Sequence, residues 1–445
     1  MVRISGKEQP MKKILAIFAV FAAALALTAC AKKHTHNPVK VEAIPATCTE
    51  DGSIAYYECE GCGKRFADEA CKEQLDEEDI EVPGGHIYGT ACDTICDREG
   101  CDQRTEPDAL HTDSDGDGAC DACREAIAYL YDHETDTYTV YTAEGLYQWA
   151  ERAKNGANLV LAADIIMPEE LTVDTDGDGI MDCNWYLHMI TGNVSGNGHS
   201  ITGLVVIGDN MFAGGLAGRV DNGAVVRDVH LRDVQVAGIN ATGGITGCLS
   251  NGSVIGCSVT GTVKNERNSS AGGIVGQVGF KTTVIGCRNY AQVIGAGTVG
   301  GIAGEVTSSG SVIACINAGS VSGGGTYGAS LGGVAGRNDG AITACGSVLE
   351  MTVAESELYY VGGITGINNM TLANNYWSAS GTVPAHGDGK RANDTNAVKV
   401  NGQSVTWETA MWLMNEALVN GEIRWRFEKN TGADADSMPL IPVAW

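Results

Sequence analysis

The sequence predicts a right-handed parallel β-helix, and three observations carry that prediction. A glycine signature, Gly214-Gly215-Leu216-Ala217-Gly218, returns from Gly243, Gly272, Gly300, Gly332 and Gly362, at steps of 29, 29, 28, 32 and 30 residues. Within the units a second apolar run follows, as Val254-Ile255-Gly256-Cys257, Val284-Ile285-Gly286-Cys287, Val312-Ile313-Ala314-Cys315 and Ile342-Thr343-Ala344-Cys345. A third closes the unit, as Thr262-Val263, Gln292-Val293, Ser320-Val321 or Thr382-Val383. Runs this short, divided by glycine and asparagine, are strands and not helices. No single unit can bury its own apolar side chains. Coils of about 28–32 residues stacked ~4.8 Å apart can, with like runs paired in parallel sheets on three faces. Crossovers between parallel strands are almost always right-handed. A β-propeller blade needs about 40–50 residues and is excluded by length.

Composition divides the chain. Residues 31–140 hold 27 acids against 9 bases and nine cysteines, whereas residues 214–383 hold 9 acids against 8 bases. The predicted organisation is a signal over 1–30, acidic cysteine-rich modules over 31–136, and a front cap with the first coils over 137–213. The repeats fill 214–383 and a C-terminal cap 384–445. A formal charge of −26 argues against nucleic acid as a partner and favours cations. With 44% apolar and 19% charged residues, wholesale disorder is excluded.

After Met11, Lys12 and Lys13 precede an uncharged apolar run, Ile14 to Leu27. As a helix it spans only ~21 Å, short of a bilayer core, which is the build of a secretory signal. Met1 to Pro10 add nothing to such a signal, so Met11 stands beside Met1 as a candidate start of translation. The run ends in Leu27-Thr28-Ala29-Cys30, which resembles the lipobox of bacterial lipoproteins. That resemblance implies acylation of Cys30 and export to a cell surface, with the membrane as a partner through lipid. The alternative is a plain signal peptide with an incidental cysteine.

The pattern Gly-Gly-[Ile/Leu/Val]-x-Gly, then Val-Ile-x-Cys, then a closing valine, resembles the GLUG repeat of bacterial surface proteins and of IgA-protease-type N-terminal regions. Tyr138 to Leu146, Leu159 to Ile165 and Gly196 to Leu204 resemble the opening coils of such β-helices, so the resemblance covers residues 138–383. It implies extracellular architecture. The repeat cysteines Cys257, Cys287, Cys315 and Cys345 are expected to stack as a ladder of buried thiols; Cys248 falls outside it. Solenoid ends need covering. Leu146, Trp149 and Ala153 recur at helical spacing at the front. Trp407, Met411, Met414 and Leu418 do so at the back, followed by an alternating strand, Ile423 to Phe427.

Cys59-Glu60-Gly61-Cys62 places two thiolates on one turn, as zinc knuckles do, with His34 or His36 and His86 available to complete a tetrahedron. Cys92, Cys96 and Cys101 with His111, and Cys120 with Cys123, indicate further knuckles. The text from Pro45 through Cys62 to His86 resembles small zinc-ribbon-like modules of proteins exported by gut bacteria. Disulfides are the alternative in an exported chain. Nine cysteines, however, leave at least one unpaired.

Two calcium-type loops follow. Asp113, Asp115, Asp117 and Asp121, with the Ala119 carbonyl, recur as Asp174, Asp176, Asp178 and Asp182 with Ile180. Gly118 and Gly179 stand at the sharp turn. Arg124 and Trp185 occupy the twelfth position, where an EF-hand has glutamate, so the loops look more like thrombospondin type-3 or dockerin loops. Calcium and zinc are thus the expected cofactors.

Catalysis on a β-helix needs carboxylates, or carboxylate–base pairs, on adjacent coils of one outer face. The residues after each signature are Arg219, Cys248, Gln277, Glu305, Arg337 and Ile367, with no acid pair. His133-Glu134 lacks the second histidine of a zincin, and no nucleophile elbow or phosphate loop occurs. The expected function is therefore a non-catalytic adhesin or binding scaffold for a glycan or surface protein. Tyr290, Tyr327, Tyr359 and Tyr360 are candidate stacking faces. A ligand-free spacer and a β-helix polysaccharide lyase or glycoside hydrolase are the alternatives.

Overall fold

A computed structural model of the chain describes residues 35–87, 96, 98, 101, 111–124, 126–174, 181–208, 212–323, 329–353, 360–370, 372–380, 383–388 and 396–445. Cys30, His34, Cys92, Asp176, Asp178, Ile180, Tyr327 and Tyr359 lie outside the described residues. The chain forms two compact units, one reaching to residue 107 and the other running from 108 to 445.

The second unit is the parallel β-solenoid. The inward row Val254, Val284, Val312, Ile342 and Leu372 is in register through successive parallel pairings, and each member is 0% exposed. The aliphatic residue of the glycine signature makes a second such row, Leu216, Ile245, Ile274, Ile302, Val334 and Ile364, also wholly buried. Its N–H groups bond coil to coil, Ile274 to Ile302 and Ile302 to Val334. The second glycine of each pair has a steric reason: a Cβ at Gly273 would collide with the Gly301 carbonyl of the next coil.

Each coil carries one strand more than the three runs visible in sequence. Short strands such as Ser270–Gly272, Thr298–Gly300 and Ser330–Gly332 precede the glycine pair and build a six-stranded sheet of their own, bent away from the eight-stranded sheet that follows. Three residues ending in glycine leave too little alternation to read as a strand. The thiol ladder forms as expected: Cys257, Cys287, Cys315 and Cys345 are buried and free, and Asn375 continues it by accepting the Cys345 N–H at 2.9 Å.

At the front, the helix Ala143–Ala153 buries Leu146, Trp149 and Ala153, and Thr142 caps its first turn. The ten-stranded sheet closes with a strand of opposite direction, Tyr129–Asp132 against Thr137–Val140. This pairing and the Tyr141 N–H, which donates to the Ala128 carbonyl, join the segment to the solenoid sheet, and the Gly118 carbonyl, which accepts from Ile127, ties the preceding loop to that segment.

At the back, the helix Trp407–Asn420 buries Met414 and Leu418, and the strands Trp425–Lys429 and Leu440–Ala444 pair antiparallel. These elements pack along the flank of the coils. Their core includes Ala314, Ile316, Ala344 and Tyr376, and the Trp425 ring lies against Gly256 and Gly286. The corner they cover is left-handed in backbone, with φ of 65° at Gly256, 67° at Gly286, 51° at Ala314 and 50° at Ala344. Tyr290 belongs to this flank. Burial, then a hydrogen bond to Asp434, raises its phenol to about 12, so it is not a free stacking face.

Adjacent isoleucines test the inside–outside assignment. Ile165 is 1% exposed and Ile166 is 78% exposed. Ile165→Ala should lower the unfolding free energy by about 2–5 kcal/mol, and Ile166→Ala should stay within about 0.5 kcal/mol, by denaturant titration.

Candidate metal centres

The first unit has a thin core. Among its described residues Cys59, Phe66, Ile80 and Cys96 are its buried apolar side chains, and a module this small needs a staple. Two clusters of metal-ligating side chains lie within it, Cys48/His86/Cys96/Cys101 and His36/Cys59/Cys62, and a third, His111/Cys120/Cys123, lies in the second unit.

Strand register explains the groupings. Pro38–Val41 pairs antiparallel with Tyr56–Cys59, Pro38 opposite Cys59, so His36 arrives beside the Cys59–Cys62 turn. Gly52 pairs with Val82, and the chain beyond Val82 runs back toward the Thr47–Glu50 turn, which brings His86 to the side of Cys48. The Gly85 N–H bonds the Thr47 carbonyl at 3.1 Å on the way. His86 therefore joins Cys48, Cys96 and Cys101, not the Cys59/Cys62 knuckle to which sequence spacing assigned it. His111 likewise joins Cys120 and Cys123 and leaves the Cys96/Cys101 group. Cys48 went unassigned in the sequence because nothing local marks it as a ligand.

Two of the clusters are built on the same turn. The residue after the second cysteine, Gly63 or Arg124, takes a left-handed φ of 67° or 61° and donates its N–H to the first cysteine's carbonyl at 2.7 or 2.8 Å. In the four-residue cluster Arg98 does the positioning. Its guanidinium donates to the carbonyls of Gly85 at 2.6 Å, Ala46 at 2.7 Å and Pro83 at 2.9 Å, tying together the segments that carry His86 and Cys48.

Ligand spacing discriminates between metal and disulfide. Zinc–sulfur bonds of about 2.3 Å and zinc–nitrogen bonds of about 2.0–2.1 Å, arranged tetrahedrally, set S···S near ~3.8 Å and S···N near ~3.5 Å. Cys48 Sγ and Cys96 Sγ are 3.8 Å apart, well beyond a bonded pair at ~2.04 Å. The Sγ···Nδ1 distances are 3.4 Å for Cys101–His86, 3.5 Å for Cys62–His36 and 3.6 Å for Cys123–His111. No disulfide joins any of the described cysteines. The donor sets and their spacing fit a metal such as zinc.

Electrostatics agree. Cys48 is pushed up to about 12 by its hydrogen bond to Cys101, then by desolvation and Cys96. Cys96, although desolvation opposes ionisation, is drawn down to about 6 by the N–H groups of Arg98 and Ile87 and by His86 and Cys101. Without a cation, one thiolate forms at its neighbour's expense; a divalent ion lets them ionise together. Cys120 is held down to about 5, first by the Cys123 N–H, then by His111 and Thr112. Cys71, also unassigned from sequence, is raised by desolvation and then by the charges of Cys59, Asp68 and Cys62, which places it near the His36/Cys59/Cys62 group.

The first acidic loop brings Asp113, Asp115 and Asp117 together. Asp113 is lowered, despite desolvation, by N–H groups of Gly118, Gly116 and Asp117 and by the Tyr141 hydroxyl. Asp121 instead accepts from the Ser114 hydroxyl at 2.8 Å and N–H at 3.1 Å. The Ala119 N–H bonds Asp117 at 2.9 Å, and Arg124 sets its guanidinium 2.9 Å from the same carboxylate. The loop thus balances part of its charge internally. Of the second loop, Asp174 and Asp182 are described, and the bridge Val173–Cys183 closes its base.

Elemental analysis of the purified chain and its variants checks cluster membership. Cys48→Ser should remove one zinc equivalent, and Cys287→Ser, in the solenoid ladder, should remove none. Arg98→Lys should also weaken zinc retention, since an ammonium cannot bridge three carbonyls as the planar fork does. For the metal-free reduced chain, the depressed Cys96 and Cys120 thiols contribute stability in full above the ordinary value of 9.0. That contribution is lost as pH falls through about 6 and about 5. Urea midpoints should therefore drop on acidification across that window; a rising midpoint would contradict the assignment.

No family model matches the chain. Over 120 residues it is 29% identical to halomucin of Haloquadratum walsbyi; the match covers 24% of this chain and spans about 1% of halomucin's length. A crystal structure of a candidate immunoglobulin A1 protease from Bacteroides ovatus is similar over 69% of this chain and 92% of that one, at 18% identity and a TM-score of 0.47.

Proposed function

We propose that the chain is an exported, lipid-anchored surface protein of the GLUG-repeat type whose solenoid is a non-catalytic binding scaffold, carried on zinc-stapled modules. The observation that carries this reading is the outward row beside the glycine signature. Arg219, Cys248, Gln277, Glu305, Arg337, Ile367 and Asp388 stack in register, one per coil. No two adjacent members are carboxylates. Glu305 is engaged by Gln277 at 3.1 Å, and Arg337, 4.0 Å away, is itself held by Asp339 at 2.6 Å, so this carboxylate–basic pair is tied up within its own surface, which favours recognition over acid–base chemistry. The inner rows are identical in kind from coil to coil while the outer row varies, as a display scaffold requires. Zinc supplies rigidity to modules whose own core is thin, and the first acidic loop is the place where calcium would bind. Cys30 supplies the anchor.

Cys30→Ser should abolish incorporation of labelled palmitate and move the protein from the membrane fraction to the medium. The full chain should bind a glycan or surface protein on an array without releasing oligosaccharide or peptide products. Turnover of a polysaccharide would overturn the non-catalytic reading.

A further inference from the structure

We propose that the polar valley between the six-stranded and eight-stranded sheets binds a neutral oligosaccharide, with Tyr360 stacked on a sugar ring and Glu305 and Arg337 holding its hydroxyls. This rests on the surface-binding reading above and gives it a site and a ligand class.

The valley follows from the glycine bend. Two sheets meet there at an angle, and their outward rows face one another across it. On one wall Ser270, Thr298, Ser330 and Tyr360 are in register on successive coils. On the other stand Gln277, Glu305, Arg337 and Ile367. Ser270, Thr298, Ser330 and Tyr360 from the first row and Glu305, Arg337 and Ile367 from the second line a cavity of about 430 Å³; Gln277 stands just beyond it. Successive coils are ~4.8 Å apart, close to the length of one sugar ring, so an extended oligosaccharide running along the stack meets an equivalent position on every coil.

The side chains are those that sugars need. Thr298 donates to the buried Ser270 at 3.0 Å and the buried Ser330 donates to the Gly336 carbonyl at 2.7 Å, so the half-buried Thr298 oxygen is the hydroxyl acceptor that this wall offers. Glu305 accepts, and Arg337 offers fixed donors held in place by Asp339 at 2.6 Å. Tyr360 is 43% exposed at the end of a row of small hydroxyl residues, an amphipathic ring on a rigid strand.

Charge and topology select among ligands. Glu305, Asp339 and Arg337 sum to one net negative charge, so a polyanionic chain is repelled. The inner strands of both walls have partners on either side in parallel ladders, so an added peptide strand could pair only at the terminal strand Tyr360–Gly362 and not along the valley. Its lining is mainly polar, without an apolar hole for an anchoring side chain.

The test is calorimetric titration of the full chain with cellohexaose, xylohexaose, mannohexaose and, as an acidic comparator, hexagalacturonate. At least one neutral hexamer should bind, and hexagalacturonate about tenfold or more weakly. Tyr360→Ala and Arg337→Ala should each weaken binding about tenfold with unchanged melting. Tyr360→Phe should retain binding. Phe280→Ala, an exposed aromatic outside the valley, should change nothing. Binding that survives both alanine variants, or a preference for the acidic hexamer, overturns the valley as the site and leaves the surface-binding reading intact. A chain that binds none of these hexamers overturns the neutral-glycan proposal. If it also fails to bind any surface polysaccharide or protein on an array, the proposed function falls with it.

Discussion

The whole second unit depends on one constraint: backbone hydrogen bonds run from coil to coil, so each side chain is held directly above its counterpart. Inward, this makes aliphatic columns from which water is excluded along their full length. Outward, it makes rows whose members are one coil apart whatever their chemistry. The same register that aligns Val254 with Val284 aligns Gln277 with Glu305, so core and display surface are consequences of a single pairing rule. Polar residues obey it too. The buried Asn289 side chain donates to Asn317 at 2.8 Å, and Asn338 to Asn368 at 2.9 Å, each amide satisfying the next.

The first unit lives under the opposite condition. Its strands are two to four residues long and its core is a few side chains, so aliphatic packing cannot define it. Its cysteine and histidine clusters, spaced to fit a metal such as zinc, are placed where a staple is needed, and Arg98 adds to the thin packing by holding three loop carbonyls.

The contrast explains what was legible in sequence. Repetition made the solenoid visible: six copies of Gly-Gly-aliphatic-x-Gly carry their own alignment, and inward residues such as Ile274 and Ile302 are read directly. The fourth strand escaped because three residues ending in glycine show no alternation. Candidate metal knuckles were visible where both thiols share a turn, as at Cys59/Cys62 and Cys120/Cys123. The Cys48/His86/Cys96/Cys101 group was not, because its members come from separate loops around a two-residue strand pairing, which leaves no periodic trace. Of the tyrosines, Tyr290 and Tyr360 look alike in sequence; only the docking of the C-terminal segment onto one corner buries the first and spares the second.

That C-terminal segment reaches along the corner from Gly256 to Tyr376 and touches the coils at fixed places. Solenoids otherwise tolerate gain or loss of a whole repeat, since each turn meets only its neighbours. Here, removing one turn beneath the strap would slide Trp425 off its glycine seats and onto residues that carry side chains. The strap is a ruler: it counts the turns beneath it, and it confines lengthening or shortening of this molecule over evolution to the end that the ruler does not measure.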